Sequence, residues 1–223
     1  MKIIRMSRSS WFKIIFDDYV IHFDPGYSGF FENQNIPENE LIDDANFIFI
    51  SHYHKDHLQT FVLNKIKNAN TIIVCPQSCE DKVDFPVMVV KPDENYQLSN
   101  IHFWAIQAYN TEMGHSVRKL HQRGDFVGYV VQLGDKRIYF AGDTDFIPEM
   151  SFLGQIDIAF LPIGGTYVMD VEEAVMAAKT IKSPIVIPMH HADKSMEFFK
   201  TELTKWNLSQ VIILNVGDFI SID

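Results

Sequence analysis

A run of four apolar residues, 47–50, leads directly into a segment rich in histidine and aspartate. The run is typical of a buried strand, because it is too short for an ordinary helix. Four potential ligands follow within six positions: His52, His54, Asp56 and His57. Imidazole nitrogen and carboxylate oxygen are the ligands that zinc and similar divalent metals take from proteins. The pattern therefore predicts a strand that ends at a metal site.

The spacing of these residues predicts how they face a metal. Alternate residues at a strand end point the same way, so His52 and His54 would face one point. Asp56 and His57 would follow on the turn into the next helix and face a second point nearby. One short loop could therefore serve two metal ions, and the alternative interpretation is a histidine-rich surface turn.

Two later apolar strands also end in potential ligands. The strand at 137–140 runs into Asp143, and the strand at 184–189 ends in His190 and His191. Side chains gathered at the carboxyl ends of strands are the expected geometry of a site in an α/β protein. Asp143 and His190 would supply the bridging carboxylate and the further imidazole that a two-metal site needs.

Hydrophobic periodicity along the chain predicts a mixed α/β fold. The predicted strands are residues 2–6, 11–16, 19–23, 47–50, 71–74, 85–90, 101–108, 127–133, 137–140, 156–163, 184–189 and 211–214. The predicted helices are 59–67, 76–82, 170–181 and 194–206, and Asp170 and Glu173 have the spacing of a capping box at the start of the third. The loops 27–45 and 109–125 are the candidates for substrate contacts. With 223 residues and no repeat, one domain over 1–223 is expected.

Composition limits the classes of partner. The net charge of −10 argues against a nucleic acid as the partner, because nucleic-acid-binding proteins carry a basic face. No apolar run reaches the roughly 20 residues of a membrane span, and no signal-peptide core is visible. The two cysteines, Cys75 and Cys79, are expected to be reduced packing thiols of a cytoplasmic protein. A small-molecule substrate is expected, and the oligomeric state is open.

The ligand segment resembles the signature of a known superfamily. His-x-His-x-Asp-His after an apolar strand is similar to the first motif of the metallo-β-lactamase superfamily. Ala-Gly-Asp-Thr at 141–144 and Pro-Met-His at 188–190 resemble its later motifs, and Leu-Pro-Ile-Gly-Gly at 161–165 resembles its compact bacterial and archaeal metal-dependent hydrolase branch. That branch includes ascorbate-6-phosphate lactonase-like proteins and lies near the phospholipase D-type enzymes that act on N-acyl phosphatidylethanolamines. The resemblance implies a four-layer αββα sandwich of the α/β (α+β) class.

The resemblance also implies a dinuclear hydrolase. One ion would be held by His52, His54 and His115, the second by Asp56, His57 and His190, and Asp143 would bridge them. Zinc is the expected metal, with manganese or iron as alternatives. A metal-bridging hydroxide would cleave a small-molecule ester-type bond, a phosphodiester or a lactone. Asp56 would orient this nucleophile, and His191 would support the site or contact the substrate.

One position departs from the family pattern. The third histidine of the first metal site usually ends the strand before Ala-Gly-Asp, but here that strand ends in Gln-Ala-Tyr-Asn at 107–110. His115 is the expected replacement, with Asn110 or a vacant position as alternatives, while His121 is expected to be a solvated loop residue. A different class also stays open: a catalytically weak or inactive binding protein with the same fold.

Two residues of the third predicted strand and its turn have weaker predictions. His22 is expected to be a packed or surface histidine and not a ligand. Asp24 lies in an Asp-Pro-Gly turn, which turn chemistry alone explains. The resemblance implies in addition that Asp24 lies beside the metal loop.

Overall fold

The computed structural model describes residues 1–27, 36–42, 44–191 and 194–222. Residues 28–35 and 43 of the predicted loop 27–45 lie outside the described residues. The chain divides into two compact units, residues 1–90 with 214–223 and residues 91–213. The single domain therefore stays a prediction.

The first unit is built on a mixed sheet, which has seven strands over the described residues, in the order β14-β1-β2-β3-β4-β5-β6. These strands are β1 (Lys2–Arg5), β2 (Phe12–Phe16), β3 (Tyr19–Phe23), β4 (Ala45–Phe49), β5 (Lys67–Pro76), β6 (Val87–Val90) and β14 (Phe219–Ser221). Pairing is antiparallel from β14 to β3 and parallel from β3 to β6. The parallel half directs the carboxyl ends of β3 and β4 to the same edge of the sheet.

Helix α1 (Thr60–Ile66) covers one face of this first sheet. Its apolar residues Val62, Leu63 and Ile66 are buried and pack in one cluster with Ile48 and Ile73 of the sheet. Their spacing of three and four positions places them on one side of the helix. The same cluster contains Cys75 and Cys79, which are buried and form no disulfide, as expected for packing thiols.

The second unit repeats the plan with a sheet that has seven strands in the described part of the chain, ordered β13-β12-β11-β10-β9-β8-β7. These strands are β7 (Asn95–Leu98), β8 (Ile101–Gln107), β9 (Val127–Leu133), β10 (Lys136–Phe140), β11 (Ile158–Pro162), β12 (Ile185–Met189) and β13 (Gln210–Val211). Pairing is antiparallel from β7 to β10 and parallel from β10 to β13. The ends of β10 and β12 therefore come to one edge.

Helices α2 (Val171–Ile181) and α3 (Met196–Thr204) belong to this second unit. The carboxylate of Asp170 accepts the amide N–H of Glu173 at 2.9 Å and caps α2, which confirms the predicted helix start. The hydroxyl of Ser195 caps α3 in the same way. None of the helices in the described ranges is both long and apolar enough to cross a membrane.

Most predicted elements are confirmed, and the differences have simple causes. The predicted helix 76–82 is a 3₁₀ helix, Gln77–Lys82, and the structure adds 3₁₀ helices at Glu38–Glu40 and Pro148–Phe152. Strands β7 and β14 were not predicted, because β7 has four residues, none of them fully buried, and β14 has three residues. The predicted strand 211–214 overlaps the observed strand only at Val211, since the strand that pairs with β12 is Gln210–Val211.

Candidate functional site

In the first unit, the ligand loop follows β4 and crowds three imidazoles together. His52 and His57 are fully buried, and their ring centroids lie 4.0 Å apart. The ring of His54 lies 4.6 Å from that of His52. Asp56 Oδ2 lies 3.6 Å from His57 Nε2. Three imidazoles this close would repel one another if they were protonated, whereas neutral imidazoles can share metal ions.

Asp24 directly follows β3 and fixes this loop through contacts with Ser51 and His57. Its Oδ1 accepts the amide N–H of Ser51 at 2.6 Å, and its Oδ2 accepts the hydroxyl of Ser51 at 2.6 Å and contacts His57 Nδ1 at 2.7 Å. Burial raises the pKa of the Asp24 carboxyl group, and the contacts with His57 and Ser51 oppose that shift. Its φ of +47° is rare for a residue other than glycine. The expectation that Asp24 lies beside the loop of candidate ligands is confirmed.

These contacts decide which nitrogen of each ring carries a proton. The single O–H of Ser51 donates a hydrogen bond to Asp24, so at 2.8 Å the Ser51 oxygen accepts a hydrogen bond from His52 Nδ1–H. His57 Nδ1 likewise donates to the Asp24 carboxylate. The lone pair of each ring is therefore on Nε2. An oxygen that binds Nδ1–H in this way is the usual support of a metal-binding histidine.

In the second unit, Asp143 and two histidines come together from three segments. Asp143 follows β10 and is almost fully buried. Its Oδ2 lies 3.3 Å from Nε2 of His190, which follows β12, and 3.5 Å from Nε2 of His121. His190 has a φ of +44°, so this strand end, like Asp24 in the first unit, is held in a rarely populated conformation.

His121 is buried, and the prediction of a solvated loop residue was wrong. Its Nδ1 contacts two acceptors, Asn110 Oδ1 at 3.0 Å and the carbonyl of Tyr167 at 3.1 Å. Its amide N–H also donates to Asn110 Oδ1 at 2.9 Å. Nδ1 therefore carries the proton and the lone pair lies on Nε2, which is the nitrogen near Asp143. The physical reason is that the loop folds back onto Asn110.

Asn110 is itself fixed by a buried carboxylate. Its side-chain N–H groups donate to Asp145 Oδ1 at 3.1 Å and to the carbonyl of Tyr167 at 2.8 Å. Asp145 also accepts the amide of Thr111 at 2.8 Å and pairs with Lys119 Nζ at 3.0 Å. Asn110 thus positions His121 and has both ends of its amide engaged, which argues against the alternative that Asn110 is itself a ligand.

His115, the predicted third ligand, contacts a different carboxylate, that of Asp170. Its Nδ1 is 3.0 Å from Asp170 Oδ2, and its side chain is 40% exposed. The hydrogen bond to Asp170 raises the pKa of His115. His121, and not His115, contacts Asp143. No local signal distinguishes these two histidines, because both lie in the polar stretch 109–125.

The remaining predicted residues have clear positions. His191 follows His190 directly and is half-buried. His22 is fully buried in the first unit, where its Nδ1 accepts the indole N–H of Trp11 at 2.9 Å, so the expectation of a packed histidine is confirmed. Burial lowers the pKa of His22 to about 3.

Comparison with known proteins fits these arrangements. A family model described as the beta-lactamase superfamily domain matches residues 4–190. The chain belongs to this superfamily. The predicted superfamily, its compact metal-dependent hydrolase branch and the α/β class of fold are thereby confirmed.

Relatives and solved structures agree with this assignment. A UPF0173 metal-dependent hydrolase of Listeria monocytogenes is 31% identical over 196 residues, which is 82% of each chain. A relative of the same name from Natranaerobius thermophilus is 28% identical over 211 residues, covering 91% of this chain and 90% of the relative. A solved structure from Parabacteroides distasonis, assigned as a metal-dependent hydrolase, has a TM-score of 0.83 and 30% identity, and the match covers 95% of this chain and 91% of that one.

Proposed function

We propose that this superfamily member is a dinuclear metal-dependent hydrolase that cleaves an ester-type bond in a small molecule. The observation that carries the proposal is the approach of two Nε2 atoms, from His121 and His190, to one oxygen of Asp143 at 3.5 and 3.3 Å. At His121 the lone pair of Nε2 faces a carboxylate oxygen. Two acceptors this close repel each other unless a proton or a metal ion lies between them.

The distances also suit a metal. Ligands about 2.0–2.1 Å from a tetrahedral zinc ion are separated by about 3.3 Å, close to both contacts of Asp143. A direct charged hydrogen bond would be shorter, roughly 2.7–2.9 Å. Nitrogen and carboxylate donors suit zinc, manganese and iron, and we infer zinc as the first choice.

We propose that each unit supplies its own set of metal ligands. The proposed ligands are His52, His54, Asp56 and His57 of the first unit and His121, Asp143 and His190 of the second. His121 takes the role that the sequence assigned to His115. We expect two ions per chain.

When bound, such ions lower the pKa of a coordinated water and polarise the scissile bond. The protein residues then position the reactants and move protons. Asp56 is about one quarter exposed, so it can orient the attacking water and accept its proton. His191, next to His190, can donate a hydrogen bond to the substrate. A phosphodiester or a lactone is the proposed substrate class, because each develops negative charge on oxygen during cleavage.

The test is hydrolysis together with metal content. The chain is stripped of metal with a chelator, reloaded with zinc, manganese or iron(II), and assayed on bis(4-nitrophenyl) phosphate and on a simple γ-lactone. Elemental analysis counts the ions. We expect turnover of at least one probe, and we expect His121→Ala to lose both turnover and metal.

A matched control is His102→Ala, which removes an exposed histidine of β8 in the same unit. It should keep metal content and turnover. Full metal loading without turnover of either probe would favour the alternative of a binding protein. Unchanged metal content in His121→Ala would refute the revised ligand set.

A further inference from the structure

A second group of potential ligands lies in the second unit and shares no residue with the set proposed for hydrolysis. We name it the His115 cluster: His115, Asp170 and Glu173. One ligand atom from each of the three residues lies within 4.8 Å of the other two. His115 Nδ1 and Asp170 Oδ2 are 3.0 Å apart. This is an imidazole with two carboxylates, the donor set that divalent transition metals prefer among nitrogen and oxygen ligands.

Glu173 provides the independent indication of a ligand. Only 5% of its surface is exposed, and its Oε2 is buried without a hydrogen-bond partner. The carboxylate receives one backbone hydrogen bond, from the amide of His115. Burial raises the pKa of Glu173. A buried carboxylate oxygen with no partner is costly, and a cation at this point would remove that cost.

The backbone holds the three ligands in place. The amide N–H groups of Val117 and Arg118 donate to the carbonyls of Gly165 and Thr166 at 3.1 and 2.7 Å, which ties the loop carrying His115 to the segment before α2. Asp170 is fixed as the cap of α2 through Oδ1, so Oδ2 remains directed at His115. His115 and Asp170 therefore need little rearrangement to bind one ion together.

We propose that the His115 cluster binds a single divalent transition-metal ion of the zinc type. His115 Nδ1, Asp170 Oδ2 and a Glu173 carboxylate oxygen would provide three ligands, and water would complete the tetrahedron. The ion replaces the proton shared by His115 and Asp170, whose separation is already close to the roughly 3.3 Å between ligands of tetrahedral zinc. It would clamp the loop 109–125 to the start of α2.

The test uses zinc alone as the probe. Wild-type protein, His115→Ala and Glu173→Gln are equilibrated with zinc by dialysis, and elemental analysis counts ions per chain. We expect each variant to bind one ion fewer than wild type. Glu172→Gln is the matched control, because it removes a neighbouring carboxylate outside the cluster and should bind as many ions as wild type. Equal metal content in all four proteins would overturn the proposal.

A double variant separates this ion from the ions of hydrolysis. If the two ligand sets hold different ions, the losses in His115→Ala and His121→Ala add in the double variant. A double variant that loses no more than His121→Ala alone would overturn the proposal and return His115 to the hydrolytic set. Because ions are counted directly, an inactive enzyme would refute the proposed function without affecting this result. Glu173→Gln is isosteric, so it remains informative if His115→Ala fails to fold.

Discussion

The two units assemble their candidate ligands in opposite ways. In the first, His52 to His57 come from one continuous loop after a single strand. In the second, Asp143, His190 and His121 come from three segments that are as many as 69 positions apart. The local set is determined largely by the order of residues, whereas the dispersed set depends on the hydrogen bonds that fold a long loop back. We therefore expect the two units to respond differently when their supporting residues are changed.

The supports are nevertheless similar in kind. In each unit an oxygen accepts the Nδ1–H of a histidine, which leaves the lone pair of Nε2 for the proposed metal. Asp24 supplies this oxygen for His57, and Asn110 supplies it for His121. Each unit also has a glycine where a Cβ would collide with backbone. A Cβ on Gly26 would lie 2.7 Å from the nitrogen of His57, and one on Gly164 would lie 2.5 Å from the carbonyl of His190.

The largest effect is expected from Asp143→Ala. Its carboxylate is the one group in the proposed ligand set that two imidazoles of the second unit approach at 3.5 Å or less. Turnover should fall by more than the roughly 10- to 100-fold that loss of an outer supporting group costs. Steady-state kinetics and elemental analysis check this. Retained turnover with full metal content would contradict the two-metal assignment.

Asp24→Asn should have the next largest effect and tests the support in the first unit. The amide oxygen must accept from the Ser51 N–H, so the amide N–H₂ would face His57 Nδ1 and force the proton onto Nε2. Metal affinity should fall by about 10- to 100-fold. Zinc titration monitored by competition with a chelating dye measures this.

The control for that experiment is Asp18→Asn, an equally conservative change in the exposed turn between β2 and β3. It should leave zinc affinity unchanged. If Asp24→Asn binds zinc as tightly as this control does, the tautomer of His57 does not matter for binding.

Asn110→Ala makes the corresponding test in the second unit and should have a smaller effect, about 10-fold in metal affinity. The effect is limited because the carbonyl of Tyr167 still contacts His121 Nδ1 at 3.1 Å. Asn70→Ala, at an exposed position of β5, is the control. An effect larger than that of Asp24→Asn would show that the dispersed set depends more strongly on its support.

The smallest effect on metal binding is expected at His22, a buried histidine outside both ligand sets. Its pKa is lowered from 6.5 to about 3 in the folded protein, so the unfolded chain binds a proton between these pH values and the native chain does not. Stability therefore falls as the pH drops below 6.5, by about 2 kcal/mol from this residue at pH 5 relative to pH 7.

His22→Gln keeps an acceptor for the indole of Trp11 and removes this titration. Urea unfolding of the metal-free protein at pH 5 and pH 7 should show a smaller loss of stability in the variant than in wild type. Zinc content should be the same in both. An equal acid-induced loss in the two proteins would argue that His22 is protonated in the native state.

Whether a segment could be predicted from the sequence depends on how far its structure is determined by neighbouring residues in the chain. The strands that carry ligands were predicted because each is a short apolar run bounded by polar residues, as β4 and β12 illustrate. Strand β7 was missed because only its pairing with β8 makes it a strand. Which of His115 and His121 lies near Asp143 could not be predicted for a related reason, since both histidines lie in one polar loop.

The sequence by itself determined the mixed α/β class, the superfamily and the chemical types of ligand at three strand ends. It could do so because apolar periodicity and a contiguous motif are local properties of the chain. Only the tertiary structure decided which loop histidine contacts Asp143. That choice depends on hydrogen bonds from Asn110 to Asp145 and Tyr167, residues 35 and 57 positions away, and no local pattern encodes contacts at that separation.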